Sequence, residues 1–210
     1  HTDEQLQEIR AKEQLRAAIV AHYGYQLLLG YTSAEVKDAS SENVVADLAE
    51  LIQAARPDVI YTHNFFDKHD THVAVACRVV EALRSLPANA HPQHLYGVEV
   101  WRDLDWLPDE EKVVFDCSEC LDLQLELINA FESQVSGAKR YDRAVMGRRA
   151  AQATYLDPHA PDTMTHAVYA VEMTPLLTAA QSPDSWAAEL QQQFARDVRS
   201  RIQRFSADND

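Results

Sequence analysis

A strand, a histidine-rich loop and a helix follow one another from Pro57 onward, and this order constrains the fold more than any other feature of the chain. Residues 58–62 form a short apolar run with β-branched and aromatic side chains, bounded by Pro57 and Asn64. Such a run is typical of a buried strand in a parallel sheet. One face of a helix is then marked by His72, Val75, Ala76, Val79, Val80 and Leu83. The segment therefore predicts a strand that leads into an amphipathic helix.

Strand and helix patterns alternate along the first part of the chain, which predicts an α/β fold. We expect a further strand over Tyr25–Leu29 and a surface loop over residues 32–43. Two later strands, over residues 95–101 and 113–117, are separated by a polar turn and predict an antiparallel hairpin. The expected architecture is a three-layer fold with a mostly parallel, Rossmann-like sheet, helices on both faces and the hairpin appended at an edge.

The composition limits the class of protein. With 210 residues, 46% of them hydrophobic, the chain can bury one full core, so we expect a single domain over residues 1–210. A net charge of −14 argues against a nucleic-acid partner, and no apolar run approaches the length of a membrane span. Three cysteines are too few for a disulfide framework, which predicts a reducing, cytoplasmic setting.

The loop after residue 62 concentrates polar side chains at the carboxyl end of a strand, where α/β sheets bind ligands. It contains His63, Asn64, Asp67, His69, Asp70 and His72. His69 and His72 are three residues apart, so their imidazoles point the same way if the helix begins at His69. Imidazoles with neighbouring carboxylates suit zinc, and this stretch offers one or two ligands. The alternative is that both histidines cap the helix or form hydrogen bonds in the core.

Residues 56–75, with the sequence RPDVIYTHNFFDKHDTHVAV, resemble the second signature of the PIG-L/LmbE-like zinc-dependent N-deacetylases. In that family a strand and an Asp precede His-Pro-Asp-His and a helix. Residues 9–18 with the following Leu-Leu-Leu-Gly-Tyr, residues 95–101 and residues 131–135 resemble further segments of the family, in the same order. This chain has Asp70 and Thr71 where the family has Pro and Asp.

The resemblance implies roles for individual residues. His72 corresponds to a zinc ligand, and His69 to the histidine that steadies the tetrahedral intermediate or protonates the leaving amine. Asp70 stands nearest the catalytic Asp of the motif, and Ser33 aligns with a substrate-contacting Asp. Further substrate contacts are predicted for His63, Asn64, Asp67 and, in the basic cluster between residues 139 and 149, Arg143. That basic cluster is alternatively a solvated helix face.

The resemblance also implies an activity. The substrate is expected to be an N-acetylated amino sugar, usually N-acetylglucosamine linked to another group, and the cofactor Zn²⁺ or another divalent ion. A homo-oligomer, a trimer or hexamer, is implied as well. The family's first signature, Ala-His-Pro-Asp-Asp-Glu, supplies the other ligands and the general base but does not occur in this sequence.

Without the first signature, we expect the chain to be a fragment, with His1 as a linker residue, half of the metal site and weak zinc affinity. The alternative is a non-catalytic binding or assembly module of the same fold.

Overall fold

One four-stranded sheet flanked by helices forms the framework, so the predicted α/β fold is confirmed. The computed structural model describes residues 2–136 and 139–206, and His1, the predicted linker, lies outside them. The helices are α1 (Asp3–Val20), α2 (Ser33–Lys37), α3 (Glu42–Ala55), α4 (Asp70–Ser85), α5 (Leu121–Asn129), α6 (Glu132–Val135), α7 (Tyr141–Thr154) and α8 (Pro183–Phe205). The strands are β1 (Val59–His63), β2 (His94–Val98), β3 (Lys112–Asp116) and β4 (Ala167–Glu172). Among the described residues, no helix is both long and apolar enough to cross a lipid bilayer.

The strand order is β1-β2-β4-β3, which corrects the predicted hairpin. β1 and β2 are parallel, with His63 opposite Val98, whereas β2 and β4 are antiparallel, with Gly97 opposite Val171. The strands predicted to form the hairpin, β2 and β3, are therefore not neighbours. β4 lies between them because four of its six residues are buried, and the most buried strand gains most from a central position. The sheet is consequently mixed rather than mostly parallel.

Two other local predictions were wrong. Tyr25–Leu29 forms no strand, and its side chains are largely exposed, with Tyr25 at 92%. An apolar run becomes a strand only if another strand pairs with its backbone, and no such partner lies beside this run in the described structure. The loop predicted over residues 32–43 contains α2, whose first turn is closed by reciprocal hydrogen bonds between Thr32 and Glu35.

The chain divides into two compact units, and the predicted single domain stays a prediction. The first comprises the residues up to Gly30 together with Phe115–Val168. In this unit Glu13 of α1 is buried and its carboxylate accepts hydrogen bonds from the N–H and the hydroxyl of Ser133, at 2.6 and 2.8 Å. The buried carboxylate thus holds α1 against the start of α6.

The second unit comprises Tyr31–Val114 and the chain from Tyr169 onward, and it contains the residues predicted to bind metal. Its fully buried side chains include Leu83, Leu95, Leu104, Leu107, Met173 and Leu176. Arg84 of α4 donates hydrogen bonds of 2.6 Å to the carbonyls of Leu176 and Gln181. These contacts fix α4, and with it the orientation of the first turn of that helix.

β2 passes very close to the loop that follows β1. A Cβ atom added at Gly97 would lie 2.4 Å from Sδ of Met173 and 2.8 Å from Cβ of Asn64. Contacts of that length are too short, so any larger residue would force Met173 and Asn64 to shift. The missing side chain allows Asn64 to be completely buried against β2.

Candidate metal centre

The loop from Asn64 to His69 joins β1 to α4, and its own side chains determine its path. Oδ1 of Asn64 accepts a hydrogen bond from the N–H of Phe66 at 2.8 Å, and Oδ1 of Asp67 accepts one from the N–H of His69 at 2.8 Å. Both are the side-chain turns that Asn and Asp favour. The ring of Phe66 also packs edge-on against Trp106, with centroids 4.8 Å apart. The loop is therefore rigidly placed, and His69 becomes the N-cap residue of α4 rather than part of its first turn.

Asp67 holds His72 in one orientation. Its Oδ2 lies 2.9 Å from Nδ1 of His72, and its side chain is completely buried. Burial alone would raise the pKa of Asp67, but the hydrogen bonds from His72 and the His69 backbone hold that pKa below its usual value. An ionised carboxylate only accepts, so Nδ1 of His72 carries a hydrogen and Nε2 is the ring nitrogen left for a metal. His72 therefore presents Nε2 as a potential metal ligand.

His63, the last residue of β1, lies against the same imidazole. The rings of His63 and His72 are stacked with centroids 3.9 Å apart and planes 1° from parallel. The pKa of His63 is lowered to about 4, mainly by burial and also by the neighbouring charge of His72. Nδ1 of His63 is buried without a hydrogen-bond partner among the described residues. His63 is thus a neutral imidazole at neutral pH, the form that binds metals.

One donor atom each from His63, Asp67 and His72 lies within 4.8 Å of the other two. Two imidazoles and a carboxylate are donors that zinc accepts, so the residues fit the ion by chemistry. β1, the loop and α4 thus each contribute one candidate donor, three in all, where the sequence predicted one or two. The lone pair of an imidazole nitrogen lies in the plane of its ring. Because the rings of His63 and His72 are stacked and parallel, their lone pairs lie in two separate planes, and a cation bound by both would have to lie between those planes. Ligation by both imidazoles consequently requires one ring to turn.

These three residues fall within the part of the chain that matches a family model. The model, PIG-L, is described as GlcNAc-PI de-N-acetylase and matches residues 1–83. The predicted PIG-L likeness is confirmed. No curated protein matches the chain.

Two solved structures share the fold of this chain. The conserved protein TT1542 from Thermus thermophilus is 21% identical, with a TM-score of 0.64 over 83% of this chain and 77% of that one. GalB, the 4-carboxy-2-hydroxymuconate hydratase from Pseudomonas putida, is 14% identical, with a TM-score of 0.56 over 87% of this chain and 78% of that one. At such identities the likeness concerns the fold alone.

The other predicted catalytic residues border the three donors. His69 is exposed, and its ring stacks on His72 with centroids 4.7 Å apart, so the two imidazoles lie together although His69 is the N-cap and not part of the first turn. Asp70 is the exposed first residue of α4. The carboxylate hydrogen-bonded to a histidine is that of Asp67, and a catalytic role for Asp70 stays a prediction.

Ser33 and Arg143 are not among the three donors. Ser33 is the exposed first residue of α2, and Arg143 is exposed on α7 in the other compact unit. Asn64 belongs to the loop but is completely buried, with its Oδ1 engaged by the backbone. Asn64 therefore supports the loop, and substrate contacts by these residues remain predictions.

Sequence reasoning missed one buried carboxylate near the loop, that of Glu99. This residue directly follows β2 and is 9% exposed. The pKa of Glu99 is raised to about 7, mainly by burial and also by the charges of Asp67 and Asp103. Hydrogen bonds from the Arg102 backbone and the Asn64 side chain act against this rise. A glutamate between two valines in a predicted strand was the available signal, since carboxylates are rarely buried without a function or a partner.

Proposed function

We propose that this chain is a metal-dependent amide hydrolase that removes the acetyl group from an N-acetylated amino sugar or its conjugate. The observation that carries the proposal is the hydrogen-bonded pair of Asp67 and His72, with His63 beside it, inside the segment that matches the GlcNAc-PI de-N-acetylase model. A buried carboxylate that orients an imidazole is the usual support of a metal-binding histidine.

The proposal assigns a task to each of these residues. His72 would hold zinc, assisted by Asp67 and His63, while Asp67 keeps Nδ1 of His72 protonated. The chemistry supplied by a bound zinc ion is polarisation of the acetyl carbonyl and a lowered pKa for water. His69, exposed at the mouth of the group, donates a proton to the leaving amine. The trimer or hexamer that the resemblance implies is part of the proposal, and light scattering after gel filtration measures it.

The decisive experiment measures acetate release from N-acetylglucosamine and its linked derivatives after chelation and reconstitution with zinc. His72→Ala should abolish zinc-dependent turnover, and His69→Ala should mainly lower kcat. His94→Ala is the matched control, because His94 is half-exposed on β2 and hydrogen-bonded to Glu172, outside the donor group. Equal and mild losses from the His72 and His69 variants would contradict the assignment.

Zinc binding gives a second measurement that does not depend on substrate. Isothermal titration should detect one site, with an affinity weaker than nanomolar, that His72→Ala eliminates. Binding of an acetylated sugar without acetate release would instead support the non-catalytic module, the alternative function of the same fold.

A further inference from the structure

The C-terminal half of α8 is exposed although it carries large apolar side chains. The helix begins against the body of its compact unit, where Trp186 is buried. Phe194 still contacts Trp106 edge-on, with ring centroids 5.9 Å apart, but every residue from Phe194 to the end of the helix is exposed. Ile202 is 60% and Phe205 79% accessible to solvent. Exposed apolar patches of this kind mark surfaces that bind a protein or a lipid layer.

The apolar side chains form one stripe along this half of the helix. At about 100° per residue, an arc of about 80° contains Phe194, Val198, Ile202 and Phe205. Arg201 borders this stripe on one side and Arg199 on the other, and the opposite side of the helix is polar. Arginines at the borders are typical of helices that lie flat in a membrane interface, because their stems pack on apolar groups while their guanidinium groups reach the headgroups.

The charge of this half of α8 is opposite to that of the whole chain. Residues 194–205 contain four arginines and one aspartate, whereas the chain has a net charge of −14. The aspartate, Asp197, forms an ion pair of 3.1 Å with Arg201, so the other three arginines make up the positive charge. Acidic groups elsewhere act over only about 8 Å at physiological ionic strength, which is less than the length of this half, about 18 Å. Its complementary partner is therefore a negatively charged surface.

We propose that the C-terminal half of α8 binds the surface of an anionic lipid layer, with the stripe among the acyl chains and the arginines at the phosphate groups. A second copy of this chain suits the stripe less well. If two stripes packed together, Arg199 and Arg201 of both copies would border the same contact, and like charges placed together are costly. Phospholipid headgroups instead offer a phosphate to each arginine. The proposal does not depend on the hydrolase function.

The stripe begins next to the aromatic side chains that support the histidine loop. Phe194 packs against Trp106, and Trp106 packs against Phe66 of the loop with centroids 4.8 Å apart. Trp186, near the start of α8, stacks on Phe66 from the other partner element at 5.9 Å. Because α8 and the loop belong to one compact unit, a helix bound to lipid keeps the candidate metal centre near the lipid surface.

Sedimentation of the full chain with lipid vesicles tests the charge. Vesicles of phosphatidylcholine mixed with phosphatidylserine should bind at least about 10-fold more tightly than phosphatidylcholine alone, and added salt should weaken this binding. Arg199→Gln should weaken it about fivefold, the usual contribution of one arginine near such a surface. Arg16→Gln removes the same charge from an exposed position of α1 and should change binding less than about twofold. Equal binding to both kinds of vesicle, or equal effects of the two variants, overturns the proposal.

A second pair of variants tests the stripe. Ile202→Gln removes an apolar side chain from it and should weaken binding by about 10-fold or more. Ser200→Gln places the same residue on the polar side and should bind like the wild type, and an equal affinity of the two variants contradicts the proposal. Light scattering tests the other occupant. If the wild type does not bind vesicles but forms an oligomer that Ile202→Gln dissociates, the stripe is a contact between copies and the lipid proposal is wrong.

Discussion

Removing the charge of Glu99 should change how the stability of the metal-free protein depends on pH. The folded-state pKa of Glu99 is raised from 4.5 to about 7, so between these values the folded protein binds more protons and stability is lost as pH rises. His63 has the opposite effect. Its folded-state pKa is lowered from 6.5 to about 4, so in that range the unfolded chain binds more protons and stability is lost as pH falls.

The two effects nearly cancel between pH 5 and 6. Each group changes proton binding by slightly less than one proton, which corresponds to a slope of about 1 kcal/mol per pH unit, with opposite signs. The wild type should therefore show an almost flat profile from these two groups. Glu99→Gln leaves His63 alone, and stability should rise by about 1 kcal/mol from pH 5 to pH 6. His63→Asn leaves Glu99 alone, and stability should fall by about the same amount.

Urea unfolding at pH 5.0, 5.5 and 6.0 in the presence of a chelator measures these slopes through the linear extrapolation of the free energy of unfolding. The double variant is the internal control, because it lacks both groups and should be as flat as the wild type. If Glu99→Gln shows the wild-type slope, or if its stability falls as pH rises, the account of the two buried groups is wrong.

Two further substitutions test the geometry of the loop. Asp67→Asn keeps an acceptor for the His69 N–H but no longer fixes the hydrogen on Nδ1 of His72. Zinc affinity measured by isothermal titration should therefore fall about 10–100-fold. An unchanged affinity contradicts the orienting role of Asp67. Gly97→Ala places a methyl group against Met173 and Asn64. This substitution should lower the free energy of unfolding, measured by urea titration, by about 1–3 kcal/mol. An unchanged free energy would mean that β2 and the loop can separate at no cost.

Local features of the fold could be predicted because they depend on local patterns. The order of β1, loop and α4 follows from a change of hydrophobic period within a few residues, and it places His72 in the first turn of a helix at a sheet edge. Strand pairing could not be predicted in the same way. Residues 95–101 and 113–117 are consecutive strand patterns, but the more buried β4 separates the strands they form.

The candidate site was predicted in part for the same reason. The proximity of His69 and His72 follows from their spacing along the chain. The hydrogen bond of Asp67 to His72 depends on how the loop turns, and the position of Glu99 depends on the register between β1 and β2. Neither the turn nor the register is visible in a local pattern, so Asp67 was predicted to contact substrate and Glu99 was not singled out.

The register between β1 and β2 determines which side chain follows β2 beside the histidine loop. Successive residues of a strand point to opposite faces, so moving β2 by one position along β1 would put a valine where Glu99 now stands and turn Glu99 away. Residues added to the connector over positions 86–93 lie outside β2 and can be absorbed at the surface without changing this match. Homologues that keep the site should therefore vary in connector length but show no insertions or deletions between positions 94 and 99.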